Sequence, residues 1–474
     1  MGDSKAQSAY GMTHSLIMIG LSVACIILGK LAFNLNTTLV LLLATAVTSV
    51  FGVATGVSWK SIQDAIVSGF GSIAIPVIML MEIGLLVGSW MIAGTIPTMM
   101  YYGLKILDPG FFLVSACLLC TVISSLAGTS YGTVSTIGVA LAGIAMGLNI
   151  PVPYTAGAIV VGAWFGDTMS PLSDSTVIVS NACKVPLTEH IKHNLYTTIP
   201  AYLISLVYFT VVGLDFGGAA VAVGGQEEIL GVLAKSFVIH PLMLLPPVVV
   251  FGLILLKKPT LPVFAAGIAV AVVLALFVQK TPFTATMNMI VAGFTGDTGN
   301  SLVNTLVKRG GMNSMMSTIS LVLASAAFSA PLRASGCVRS VLDKLEAIAK
   351  SDKQFMIAST ILHPLLFIVS VTYYVSYTVL GEMMAPVYDK YKLSRKNLTR
   401  TMSDTGVSLA PLIPWGSAGA LVYSQLGVSA WEYARYAPFC WLCLVFGVIY
   451  IFTGIGIENA DGTMRRPLFG RRKA

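Results

Sequence analysis

Charged side chains make up only 10% of this 474-residue sequence. A soluble domain carries about a quarter, so the shortage excludes an ordinary water-exposed surface. Metal-binding side chains are sparse as well, with five histidines, seven cysteines and 20 acidic residues. Two Cys-x-x-Cys spacings occur, Cys117/Cys120 and Cys440/Cys443. Both sit in apolar stretches without a nearby histidine, and small packed thiols account for them more simply than zinc. Serine- and zinc-peptidase motifs are absent, and nothing in the chain calls for a cofactor. The alternating ten-residue segments of a membrane β-barrel are missing too. Residues 1–13 are polar with a single lysine, Lys5, and lead into a full-length apolar run. They read as the approach to a first span and not as a cleavable signal.

What the chain has is hydrophobic length. Apolar residues reach 56% and the mean hydropathy is +0.84. Apolar runs cover 14–33, 37–57, 194–214, 236–256, 261–278 and 437–457, each long enough to cross a hydrocarbon core as a helix. Backbone polar groups in lipid must be satisfied within the segment, so helices are the expected form. The fold class is an all-α polytopic membrane protein, with the lipid bilayer as its partner. A net charge of +8 raises the question of nucleic acid, and placement answers it. The basic residues cluster at 333–353, 385–400 and 464–473, between or after spans, as cytoplasmic loops do.

The chain also repeats itself. Shifted by 240 residues, Thr55-Gly56 falls on Thr295-Gly296, Ser61-Ile62 on Ser301-Leu302, Ser130 on Ser370 and Pro171 on Pro411. The helix-breaking stretch 166–174 then lies beside 403–416. Each half has two spans, a short amphipathic segment (58–70 and 298–311), a third span, a paired span with a polar middle, a broken span and a closing span. The division predicted is a first repeat at 1–214, an external connector at 215–235, a second repeat at 236–457 and a basic tail at 458–474. Asp215, Glu227 and Glu228 mark the connector as external, and Arg465, Arg466, Arg471, Arg472 and Lys473 mark the tail as cytoplasmic. The loop 333–353 reads inside and its counterpart 93–113 outside, so the halves insert in opposite senses. An odd number of crossings per half is required. It is five if the pairs 111–128/131–147 and 355–371/372–387 re-enter, and seven if they cross. Both chain ends are then cytoplasmic, in the cell inner membrane. Inverted repeats of this kind are the mark of secondary transporters, with sites near the midplane.

Four acidic residues fall inside predicted spans: Glu82, Asp167, Asp174 and Asp404. A charge there costs at least a few kcal/mol, which makes such residues functional candidates. Glu382 and Asp297 lie near span ends. The strongest stretch is Phe165-Gly166-Asp167-Thr168-Met169-Ser170-Pro171-Leu172-Ser173-Asp174-Ser175-Thr176. Proline removes a backbone donor and frees a carbonyl. Free carbonyls, hydroxyls from Ser170 and Ser173, and two carboxylates are hard oxygen ligands that suit a small hard cation. Capping residues of a loop between two spans are the plainer account. Ser403-Asp404-Thr405-Gly406, before Pro411 and Pro414, repeats the idea with one carboxylate. Thr129 and Ser130 stand at the polar middle of one pair, and Ser370, Thr372, Tyr373 and Tyr374 at the other; helix packing by small residues is their competing explanation. His363 could relay protons or be a packed, hydrogen-bonded imidazole. Arg333 could meet an anionic substrate or reach the interface.

Taken together these residues resemble the NhaC family of Na+/H+ antiporters, within the larger ion-transporter superfamily. The resemblance rests on Gly88-Ser89-Trp90, Gly94-Thr95-Ile96-Pro97, Tyr101-Tyr102-Gly103, Gly128 through Thr133, Phe165 through Asp174, His193 with Tyr196 through Pro200, Gly310-Gly311-Met312 and Pro411 through Trp415. It spans most of the chain in the family's order. It implies a secondary antiporter and no enzyme, exchanging Na+ for H+, the transported ions, by competition at buried carboxylates. Asp167, Asp174 and Ser130 would hold Na+, with Thr129, Ser170, Ser173, Asp404, Thr405 and Glu82 completing the transport site. Some relatives instead couple Na+ and H+ to a small carboxylate or an amino acid, so a malate- or lactate-like exchanger or symporter stays open, as does an oligomer. The chain departs from the family twice. Many relatives are similar to a Thr-Thr-Asn pattern after the second aspartate, whereas Asn181 is displaced here. Ser403 stands where the family has glutamate, which removes one proton carrier.

Two readings from other classes carry less. An intramembrane aspartyl protease would pair Asp167 with Asp404, but Trp164 occupies the place of a small residue and peptide hydrolysis has no use for a repeat. A passive channel has no need of interior carboxylates. For alternating access, the polar segments 111–182 and 355–425 are expected to move as one unit. The scaffold would be 14–57, 194–214, 236–278 and 437–457, with 58–70 and 298–311 at the edge.

Overall fold

Inside a bilayer a backbone amide finds no water partner, and the apolar runs accordingly form helices. A computed structural model describes residues 11–218, 223–256, 258–308, 310–337, 340, 344, 351–370 and 373–465. The expected second tip at 370–374 includes residues 371–372, which lie outside the described residues, as do most of the basic loop after 340 and the tail from Arg466.

The first part of the chain runs α1 (Met12–Ile27), α2 (Thr37–Ala54), α3 (Trp59–Ile92), α4 (Thr95–Ile106), α5 (Phe112–Ala127), α6 (Ser130–Gly147), α7 (Val152–Met169), α8 (Asp174–Cys183) and α9 (Leu187–Gly218). After it come α10 (Val223–Ser236), α11 (Leu245–Leu255), α12 (Thr260–Phe277), α13 (Phe283–Ala292), α14 (Ser301–Val307) and α15 (Met316–Ala334). The last part holds α16 (Asp352–Ser370), α17 (Tyr373–Lys390), α18 (Arg395–Met402), α19 (Ser417–Leu426), α20 (Ala430–Tyr433) and α21 (Pro438–Thr453). Among the described residues, eight helices are long and apolar enough to cross a membrane, or ten if each bent pair counts as one span. The extended pairings among them are isolated bridges, Leu393 to Asn459 and Glu458 to Met464. The chain is an all-α polytopic membrane protein.

Several elements depart from the sequence expectations. The segment 58–70 is no separate surface piece: it is the first third of α3, a 34-residue helix capped by Ser58 and continuing through Pro76. At 1.5 Å per residue α3 is about 50 Å long, well beyond a hydrocarbon core of about 30 Å. Its early turns pack on α15, where Arg333 donates to the Ala65 carbonyl at 2.9 Å. Arg333 is thus tied to protein backbone. The run 236–256 is no straight span either. The chain bends by 87° between Glu227–Ser236 and Pro241–Leu255, where Pro241 cannot continue a preceding helix.

Helix α5 packs closely on α7, and glycine makes this possible. A Cβ on Gly162 would overlap the Cys117 carbonyl and come within 2.8 Å of the Cys120 Cβ; one on Gly166 would stand 2.6 Å from the Thr121 carbonyl oxygen. Small residues let membrane helices approach until van der Waals contact and polar links hold them. One such link is the Ser124 hydroxyl, which donates to the Ala163 carbonyl at 2.6 Å. Cys117 and Cys120 are buried in this same contact.

Replacing Gly162 by valine should therefore part α5 from α7. Overpacking of this kind costs about 1–3 kcal/mol, read as a lower Tm in detergent. Gly231→Ala, on α10 with nothing within 4 Å of its added carbon, should leave Tm unchanged or raised.

Candidate functional site

Two helix breaks meet in the first half, and their sequences explain both. Helix α5 ends at Gly128, whose φ of 65° suits glycine. Thr129 then caps α6, its hydroxyl accepting from the Gly132 amide at 3.2 Å. Helix α7 ends before Pro171, and α8 starts at Asp174 with Ser173 as its cap. The unwound residues between them are tied down by Thr176, which donates to the Ser170 carbonyl at 3.0 Å and the Ser173 carbonyl at 2.8 Å. A Cβ on Gly128 would meet Leu172 at 2.7–2.8 Å, so the two breaks touch.

Asp167 sits at this junction, one residue beyond the Gly166 contact, and is 4% exposed. Its Oδ2 accepts from the Ser130 hydroxyl at 3.1 Å. A cavity of about 230 Å³ opens beside it, lined by Thr129, Ser130, Tyr131, Ser173 and Asp174 of the two breaks, and by Pro76, Met79, Lys258 and Ser417 from elsewhere. The end of α5, the hydroxyl residues of the two breaks and two carboxylates thus line one space. Such unwound backbone and half-helix C-termini are the ligand set that binds small cations in transporters. Asp174 is exposed at the cavity, whereas Asp167 is enclosed. Ser170 does not line it: its hydroxyl accepts from the Leu172 amide at 3.2 Å and holds the turn.

Asp404 belongs to a second cluster. It lies in a π-turn, Ser403–Val407, that continues α18. Its Oδ1 accepts from Thr197 of α9 at 2.8 Å, while Oδ2 is buried without a protein partner among the described residues. Thr405 hydrogen-bonds the His363 Nδ1 and the Thr401 carbonyl, each at 2.5 Å. His363 stacks on Tyr377 and is a packed, hydrogen-bonded imidazole. Glu82 joins neither cluster. It lies one turn beyond Met79 on α3, its Oε2 buried with no protein partner among the described residues. Asp297 is in an exposed loop, accepting from the Gly299 amide and Asn304, and the Glu382 side chain falls outside the described residues. Tyr131 ties the first break to the second part of the chain at the cavity wall, its hydroxyl 2.8 Å from that of Ser417 past the second break.

Sequence reasoning passed over the wall of the second cluster. Helix α9 was expected to be scaffold, yet His190, His193, Asn194 and Thr197 on it are buried. Arg400, 1% exposed, donates to the Gly456 carbonyl at 2.6 Å. A signal existed in the run from Asn397 to Thr405, where polar residues far outnumber apolar ones, but its flanking Arg395 and Lys396 make it read as a loop. No group of three or more histidine, cysteine, aspartate or glutamate side chains forms a metal cluster among the described residues.

Comparison with known proteins places these residues in context. The model of the Na+/H+ antiporter family matches residues 5–185 and 162–455. The chain is 34% identical over 445 residues to the Na+/H+ antiporter NhaC of Alkalihalophilus pseudofirmus, covering 94% of this chain and 96% of that protein. It is 33% identical to the malate-2H+/Na+-lactate antiporter of Bacillus subtilis, over 93% of this chain and 94% of that one. It is 34% identical to the arginine/ornithine antiporter ArcD of Halobacterium salinarum, over 95% and 93%.

If Thr176 holds the break that presents Asp167, Thr176→Val should loosen it. The Ser170 and Ser173 carbonyls keep the amides of Ser173 and Val177 but lose the shared hydroxyl donor, at about 0.5–1.5 kcal/mol, read as a lower Tm. Cation binding should weaken several-fold, and unchanged binding in this variant would separate the turn from the site.

Proposed function

The chain belongs to the Na+/H+ antiporter family, and we propose that it exchanges Na+ for H+ at the cavity between the two helix breaks, with Asp167 as the shared binding group. The observation that carries this is Asp167 itself: a carboxylate almost fully enclosed in a membrane helix, bonded to Ser130 and open to a cavity of oxygen ligands. A bare carboxylate is costly there, so it holds either a proton or a cation, and each displaces the other. Ser130, Thr129, Ser173 and Asp174 complete the cation's shell. The unit of 111–182 and 355–425, held together in part by the Tyr131–Ser417 contact, moving against the scaffold would expose the site alternately to either side. The inner membrane, with both termini cytoplasmic, is the setting this reading requires.

A second substrate is favoured by one further residue. Lys258 shares the cavity wall with the acidic groups, and about 230 Å³ is more room than a bare ion needs. A small carboxylate or amino acid could bind between Lys258 and the aspartates, in keeping with the malate–lactate and arginine/ornithine exchange named for two relatives.

Proteoliposomes decide between these. A Na+ gradient should drive proton movement, with apparent Na+ affinity falling as pH drops, and Asp167→Asn or Asp174→Asn should abolish coupling. Full coupled flux at unchanged affinity in both variants would remove the carboxylates from the mechanism. Adding lactate, malate or amino acids should stimulate flux in wild-type protein but not in Lys258→Ala, if the second substrate is used.

A further inference from the structure

The second cluster lies apart from the Asp167 cavity, none of whose lining residues it shares. Its composition is unusual for a membrane interior. From Asn397 to Thr405, only Leu398 and Met402 are apolar, and all nine residues are buried. Polar side chains inside a bilayer protein persist where they serve a path or a site.

Helical spacing arranges them into facing stripes. On α9, His190, Asn194 and Thr197 recur every three or four residues and share one face, with His193 beside them. On α18 and the π-turn after it, Asn397, Arg400 or Thr401, and Asp404 do the same. Two cross-links set the stripes in register: His193 Nε2 to Asn397 Oδ1 at 3.2 Å, and Thr197 to Asp404 Oδ1 at 2.8 Å. Along these stripes, six buried polar atoms have no protein partner among the described residues: both ring nitrogens of His190, both amide atoms of Asn194, Nε of Arg400 and Oδ2 of Asp404. Buried polar atoms left unpaired are costly, and a row of them is the setting in which internal water is held, each molecule bridging two to four groups.

The stripes run from water to the carboxylate. At the outer end Lys396 pairs with Glu189 at 2.8 Å and Glu458 at 2.9 Å, and the Glu189 side chain is 47% exposed. Arg395 pairs there with the half-exposed Asp389, whose carboxyl this contact holds below its ordinary range. Asn397 joins that end to the interior, donating to the Glu458 carbonyl at 2.7 Å.

We infer that Asp404 is a second proton station, separate from the Asp167 cavity, and that the facing polar stripes of α9 and α18 are its route to water. The inference rests on the Na+/H+ reading above. A proton moves along such a route by exchange of hydrogen bonds through water, imidazole and amide, and no ion has to fit. Na+ is turned away by the buried guanidinium of Arg400, one turn before Asp404 on the same face. At the end of the route the free Oδ2 of Asp404 takes the proton.

Two fluxes in proteoliposomes test this. Asn194→Leu keeps the branched shape but removes the amide. Na+/H+ exchange should fall at least tenfold, while exchange of labelled Na+ for Na+ at equal pH stays within twofold of wild type. Asn194→Ser, which restores a hydroxyl, should recover most of the loss. An unchanged Na+/H+ rate, or an equal fall in both modes, would overturn the route. Should the leucine variant fail to fold, wild-type protein suffices: radiolytic footprinting in 18O-water should label His190, and an unlabelled His190 would overturn the route as well. Wild-type vesicles without any Na+-driven proton movement would instead overturn the exchange reading.

Discussion

A carboxylate inside a bilayer cannot stay bare, and much of this structure is arranged around that fact. Asp167 is enclosed on one side because Gly162 and Gly166 bring α5 against α7, and the other side of the junction opens to the cavity. Gly128 turns the chain in the left-handed region and Pro171 ends α7, so four helix ends meet at one place. Breaking helices in a membrane exposes backbone groups that lipid cannot satisfy. Here the capping hydroxyls of Thr129 and Ser173, and the Thr176 hydroxyl behind them, satisfy part of that demand.

This arrangement separates binding from holding. Ser130 touches the carboxylate, whereas Ser170 and Thr176 hold the turn that presents it. Asp404 is supported differently. Its helix does not stop but passes into a π-turn, a form found often at functional sites. Thr197, from the first part of the chain, supplies its hydrogen bond. The two carboxylates thus sit in unlike surroundings, one beside an open cavity and one in a closed polar seam.

Much of the first break was legible from residues alone. Gly166-Asp167 followed by Pro171 and a run of hydroxyls can hardly be an uninterrupted membrane helix, and Gly128-Thr129 carries its own turn chemistry. The second break at Pro411 and Pro414 was legible for the same reason. Pairings across the chain were not. Nothing local announces that Thr197 meets Asp404, because that contact is set by how α9 packs on α18. Arg400 was hidden by its neighbours: Arg395 and Lys396 are partly exposed and give the stretch the charge of a loop, while the turns after them are buried. The mixture of charged and apolar residues also misled at 58–70, where Trp59, Lys60 and Asp64 suggested a surface segment. A helix much longer than the bilayer is thick can carry charge at its end and remain one helix.

The central claim is that a proton and a Na+ compete for Asp167. It is tested most directly by mixing detergent-solubilised protein with Na+ in weakly buffered solution and following a pH indicator. Wild-type protein should release protons as Na+ binds, saturably, and Asp167→Asn should release far fewer. Undiminished release from the asparagine variant, or Na+ binding to wild-type protein with no proton released, would contradict the account.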